Sequence, residues 1–186
     1  MSRFLASGVC SGATPATDSR AARPVAGWRT VLGVFKPRIG VLIMITALAG
    51  LAIVPAGTAS ALQALVLALS VLVASASAGA FNQFVEAESD RLMVRTRRRA
   101  FASGTLPRSR GWLLAIVALL PLSVTTAAWV INLTSAGFVL LGALTYAVVY
   151  TVWLKRRTPW NIVVGGLSGS FAVLAGAAAA NPQLGM

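Results

Sequence analysis

At 186 residues, 57% apolar and only 11% charged, with a mean hydropathy of +0.80, the chain falls well short of the roughly one-quarter charged residues of a soluble domain. That excludes a water-soluble globular fold. Its 16 Lys and Arg outweigh four Asp and Glu for a net charge of +12. These basic residues separate long uncharged segments rather than cover a polar domain, so they point to an anionic membrane surface and away from nucleic acid. One cysteine, Cys10, excludes an internal disulfide. The absence of His removes the commonest metal ligand and general base, and leaves chemistry to carboxylates, Arg, Lys, Tyr and backbone.

Residues 1–30 are rich in Ser, Ala, Thr and Arg, and no apolar run follows Arg3 to serve as a signal-peptide core. The segment reads as a disordered cytosolic tail. A transit peptide has similar composition, which makes a mitochondrial inner membrane the minor alternative to a bacterial cell membrane. Three stretches then carry no charge: Ile39–Val85, Gly111–Leu154 and Thr158–Met186. A spanning helix needs about 20 apolar residues. The first stretch accommodates spans near 39–55 and 62–81, with Pro55-Ala56-Gly57 as the turn between them. The second accommodates 112–131 and 134–154, parted around Asn132, and the third accommodates 160–180. The fold class expected is therefore an all-α, polytopic bundle of five spans over residues 31–186.

The charges test that count. With five spans, every Lys and Arg falls on one face. One group runs from Arg3 to Arg38, a second from Arg91 to Arg110, and the third is Lys155-Arg156-Arg157. The positive-inside rule makes that face, and the N-terminus, cytosolic. The second, third and fifth spans are rich in Ala, Gly and Ser, which lets membrane helices approach closely. Gly165-x-x-x-Gly169 is such a motif, read here as packing within the chain.

Three of the four acids lie within five positions: Glu86, Glu88 and Asp90. Asn82, Glu86 and Asp90 are spaced i, i+4, i+8, so each step turns only roughly 40° further round a helix. All three share one face over about 12 Å, and Glu88 points elsewhere. Acids at the membrane are costly and mark function, and oxygen ligands of this kind suit Mg²⁺ bridging to substrate phosphates. Arginines follow directly and can stabilise a leaving anion. The blander reading is a salt-bridged helix end, and spacing alone weighs the two evenly. The bland readings prevail elsewhere: topology for most of the Arg run, interfacial anchoring for Tyr146, Tyr150, the tryptophans and the 155–157 cluster, and an inert Cys10.

The run from Asn82 to Arg99, N-Q-x-x-E-x-x-x-D-x-x-M-x-R-T-x-x-R, resembles the first acidic motif of the UbiA superfamily of intramembrane prenyltransferases, in the version found in the heme O synthase branch. Lys36-Pro37-Arg38 and the stretch Tyr150–Pro159 agree with it. The resemblance implies an enzyme that transfers farnesyl from farnesyl diphosphate to a vinyl group of heme B. Asn82, Glu86 and Asp90 would hold a Mg²⁺–diphosphate, and Arg95, with Arg38 and Lys155, would contact phosphate. The isoprenoid would lie along the small-residue helices. Two departures stand out. Ala100 occupies the place of the family's usual Pro after the arginine run, and no acid follows Asp90, so the second acidic motif of the superfamily is missing. The chain is thus expected to be the N-terminal part of a longer protein, or a truncated one, and inactive alone. The competing readings are a sister prenyltransferase with a quinone-precursor or chlorophyll-type acceptor, and a non-enzymatic small membrane protein or transporter.

Overall fold

The computed structural model describes residues 27–54, 59–155, 157 and 160–181, and all its regular elements are helical. In chain order they are α1 (Trp28–Val34), α2 (Pro37–Ile53), α3 (Ala61–Val85), α4 (Ala87–Leu92), α5 (Arg110–Val130), α6 (Leu133–Leu144) and α7 (Asn161–Ala180). α6 runs without interruption into a π-helical segment, Thr145–Leu154. Four helices are long and apolar enough to cross a membrane: α3, α5, α6 with its π segment, and α7. α2 and the short α1, which meet at 48°, are long and apolar enough only when taken together as one broken span, which would make a fifth crossing. With that pair counted, the number equals the five that the charge pattern calls for, and α2 and the four long helices lie within a few residues of the boundaries read from the sequence. Two expectations fall mainly outside the described residues: the 1–30 tail and the Pro55-Ala56-Gly57 turn. Trp28–Thr30, counted with the tail, open α1 instead.

Local chemistry sets the helix starts. Ser60 and Gln63 form a reciprocal capping box at the head of α3. Ser109 accepts from the Trp112 amide to start α5, and Asn132 accepts from the Ser135 amide to start α6. Asn132 also donates to Ala178 O, and Ser135 to Ala175 O. These bonds tie the head of α6 to the tail of α7.

α3 is the central helix, packed against α2, α5 and α6, while α7 packs against α2 and α6. The core is dominated by alanine, with Ala47, Ala74, Ala78, Ala143, Ala175 and Ala179 buried together. Small side chains let the backbones close in, which is how helices gain dispersion contact in lipid. The closest approach is between α2 and α7. A Cβ on Gly50 would strike the Val173 carbonyl, and one on Gly176 would strike the Ala47 carbonyl. The Gly165-x-x-x-Gly169 motif does less. A Cβ on Gly165 would lie 2.8 Å from the Tyr150 ring, whereas nothing lies within 4 Å of one on Gly169. Its packing is within the chain, as expected, but with the end of the fourth crossing.

A second, smaller cluster lies at the charged end. Phe101, under a long loop spanning 93–109, packs edge-on against Phe84 of α3 and Trp112 of α5. Ala100, Leu106 and Val34 are buried with it. This aromatic wedge folds the loop back over the end of α3. Gly104, at φ 78°, takes the left-handed conformation that turns the loop.

Candidate active site

The site is built at the end of α3, where the spanning helix gives way to the charged loop. α3 stops at Val85, and Glu86 then leads into α4. The i to i+4 backbone bonds nonetheless continue, from Glu86 N to Asn82 O at 3.0 Å and from Asp90 N to Glu86 O at 2.8 Å. Asn82, Glu86 and Asp90 therefore stay on one face, at 2%, 5% and 4% exposure. Glu88 turns outward, as its spacing requires, and pairs with Arg91 and Arg108.

Each of the three buried groups meets one cation. Lys155 Nζ lies 2.6 Å from Glu86 Oε2. Arg99 donates to Asp90 Oδ2 at 2.8 Å. Lys36 donates to Asn82 Oδ1 at 3.2 Å. Three cations thus face two carboxylates, so the cluster carries a surplus positive charge suited to an anion. Asn82 Nδ2 in turn donates to Thr151 Oγ1 at 3.0 Å. Gln83, beside Asn82, donates to the Gly33 and Val34 carbonyls and so pins α1 to α3. Among the described residues no buried side-chain nitrogen or oxygen lacks a partner.

Not every expected residue arrives here. Lys155 does. Arg95 and Arg38 are solvent-exposed, and among the described residues neither makes an ion pair with the acids. Arg99 stands where Arg95 was expected, because the aromatic wedge at Phe101 folds the loop back and carries the position two residues before it onto Asp90. Thr96, adjacent to Arg95, seals the turn by donating to Asp90 O. Lys36 takes the place assigned to Arg38. It sits at φ 45°, ψ 56° immediately ahead of Pro37, and this left-handed turn directs its side chain at α3. Sequence reasoning also missed Thr151, a hydroxyl inside an otherwise apolar run. Its one signal was that polarity at membrane depth.

An apolar groove opens beside the cluster. It runs between α2, α3 and α6, lined by Gly40, Ile43, Val71, Ala78, Phe138 and Gly142 among others, with Lys36 and Tyr146 also on its wall. Tyr146 and Tyr150 stack at 5.2 Å. Tyr146 therefore lines a cavity inside the bundle, where the sequence reading had an interfacial anchor, because the helix carries it inward beside Ala147. Trp129 and Trp160, by contrast, are exposed, at 91% and 68%.

The donor set fits magnesium in kind. Two carboxylates and an amide oxygen are hard ligands, and Mg²⁺ is characteristically held by one or two carboxylates with substrate phosphates supplying further oxygens. Among the described residues no group of three or more acids, His or Cys converges, so an all-protein metal cage is not what these residues build.

A profile of the UbiA prenyltransferase family matches residues 43–186. Among curated proteins, protoheme IX farnesyltransferase 2 of Paramagnetospirillum magneticum is 48% identical over 159 residues, 86% of this chain and 55% of that protein. The protoheme IX farnesyltransferase of Bartonella bacilliformis is 36% identical over 176 residues, 95% of this chain and 56% of that protein. That of Anaplasma marginale is 40% identical over 151 residues, 81% of this chain and 50% of that protein. The chain spans about half the length of the curated relatives it matches. No solved structure matches it. An all-helical bundle, an acidic face at the end of its central helix, and a family profile that covers most of the sequence agree: this chain belongs to the UbiA prenyltransferase family.

Proposed function

We propose that this chain supplies the diphosphate-binding half of an enzyme that transfers farnesyl from farnesyl diphosphate to heme B, making heme O. The observation that carries the proposal is the placement of Asn82, Glu86 and Asp90, with three cations, beside the mouth of an apolar groove. A polar head and an isoprenoid tail require that pairing. The names of the relatives favour heme as acceptor over a quinone precursor.

In this reading Glu86, Asp90 and the Asn82 carbonyl oxygen would hold Mg²⁺, which when bound neutralises charge on the diphosphate. Lys36, Arg99 and Lys155 stabilise the negative charge that grows on the departing diphosphate as the bond from oxygen to farnesyl C1 breaks. The electron pair leaves with the diphosphate. The vinyl group of heme B donates its π electrons to farnesyl C1 and forms the new carbon–carbon bond. Its other carbon, left electron-poor, takes up water and releases a proton. The apolar walls keep water away from the allylic carbon until the acceptor is in place. The basic loops face the cytosol of a bacterial cell, by the positive-inside rule.

The test is product analysis. Membranes containing the chain, alone and together with the remaining half of a full-length relative, receive Mg²⁺, heme B and farnesyl diphosphate, and extracted hemes are weighed by mass spectrometry. Heme O that disappears with Glu86→Ala supports the reading. A complemented enzyme that farnesylates a different acceptor, or that ignores Glu86→Ala, overturns it. The isolated chain is expected to bind farnesyl diphosphate without turning it over.

A further inference from the structure

Asn82 can serve an anion-bound cation only if its amide presents oxygen, not nitrogen, to the site. We infer that Thr151 makes that choice and is a positioning residue for Asn82. This rests on the functional reading above for its ligand, while the orientation of the amide turns on a single proton. The Thr151 hydroxyl has one proton, and it donates that proton to Tyr146 O at 2.9 Å. It has only lone pairs left to offer Asn82. Asn82 must therefore turn its NH₂ toward Thr151, which the 3.0 Å bond from Nδ2 records. Oδ1 is left facing Lys36, on the side of the cation cluster.

The π-helical stretch makes this possible. Three other threonines in spanning helices, Thr46, Thr125 and Thr126, donate to the carbonyl four residues back, the usual α-helical habit. Thr151 reaches five residues back, as does the Lys155 amide, which donates to Tyr150 O. A return to α-helical register would shift the ladder by one residue, and one residue is about 100° of rotation. Thr151 would leave α3. Lys155, on the same stretch, would lose its alignment with Glu86. A π segment is rare and recurs at functional sites. Here it sets two contacts to the acidic face at once. Thr151 is 2% exposed, so solvent cannot replace its hydroxyl.

The experiment compares Thr151→Val, which keeps the shape and removes the hydroxyl, with Thr151→Ser, which keeps the hydroxyl. The full chain is labelled with ¹⁵N-asparagine, giving four residues to resolve, and Asn82 is assigned by its loss in Asn82→Gln. Two quantities are read: the Asn82 side-chain amide signals, and the Mg²⁺ concentration giving half-maximal binding of farnesyl diphosphate. Thr151→Val is expected to shift and broaden the amide pair and to raise the Mg²⁺ requirement about 10-fold, the lower end for loss of a group that orients a metal ligand. Thr151→Ser is expected to restore both. Helix content and melting, recorded alongside, identify a variant that has simply failed to fold. An Asn82 amide unmoved by Thr151→Val, or a Ser variant no better than Val, overturns the inference. A wild-type amide freed by Val and held by Ser, in a chain that binds no farnesyl diphosphate, supports the positioning role and overturns the functional reading instead.

Discussion

Replacing Gly176 by alanine tests the backbone contact between α2 and α7. A Cβ there would overlap the Ala47 carbonyl oxygen, and would lie 2.7 Å from Leu51 N and 2.9 Å from Ala47 C. All three are main-chain atoms of α2 and cannot rotate aside. Ordinary contact begins at 3.4 Å, so the Leu51 contact alone requires a separation of about 0.7 Å, and the carbonyl requires more. Forced overpacking of this kind costs about 1–3 kcal/mol. A backbone clash on two successive turns belongs near the top of that range. Alanine returns about 0.5–1 kcal/mol through the lower chain entropy of the unfolded state. The net is a loss of roughly 2 kcal/mol. Gly169 is the matched control on the same helix: nothing lies within 4 Å of its Cβ position, so Gly169→Ala keeps only the gain. The two variants should differ by about 2.5–3 kcal/mol, or roughly 5–10 °C in melting temperature for a chain this size. Thermal unfolding followed by circular dichroism in detergent reads the difference. A Gly176→Ala chain that melts with or above Gly169→Ala would refute the claim that backbone contact joins these helices.

Glu86→Gln combined with Asp90→Asn keeps side-chain size and removes both carboxylates. It should weaken Mg²⁺-dependent binding of farnesyl diphosphate by roughly 100-fold, measured by equilibrium dialysis, and unchanged binding would remove these residues from the site. Phe101→Ala empties the wedge under the 93–109 loop and should cost about 3–5 kcal/mol. It should also loosen the backbone around Arg97–Arg99 and so speed trypsin cleavage there, with an unaltered cleavage rate contradicting the proposed role of the ring. In a Cys10→Ser background, cysteines placed at Arg97 and at Leu133 should react with an impermeant maleimide from opposite sides of sealed vesicles. Labelling from the same side would break the five-crossing topology.

The crossings were legible because lipid leaves so few options. A run without charge long enough to span has to be helical, and the basic residues punctuate those runs. The span read to 81 continues as helix four residues further, to Val85, and takes in Asn82 and Gln83. In the structure both are buried inside the helix. The shared face of Asn82, Glu86 and Asp90 followed from periodicity, since the backbone bonds of the helix carry on past its formal end. Their cationic partners did not. Lys36 reaches Asn82 through a left-handed backbone turn, and Arg99 reaches Asp90 through a loop folded by Phe101 and Trp112. Neither has a period. Thr151 depends on a change of helical register, and apolar pattern carries no trace of whether a ladder closes at four residues or five.

The ion pairs of the acidic face have a consequence for how ligands can arrive. Glu86 and Asp90 already hold Lys155 and Arg99, so a metal ion entering alone would perform an exchange rather than an addition, displacing part-exposed cations from nearly buried carboxylates. A diphosphate entering alone finds those same cations engaged. Together, each ligand takes the partner that the other releases. The two binding equilibria are then coupled, and by linkage each raises the other's affinity by one common factor. Under the proposed function, the site would therefore act as a gate that responds to the complex of metal and diphosphate and discriminates against either component by itself.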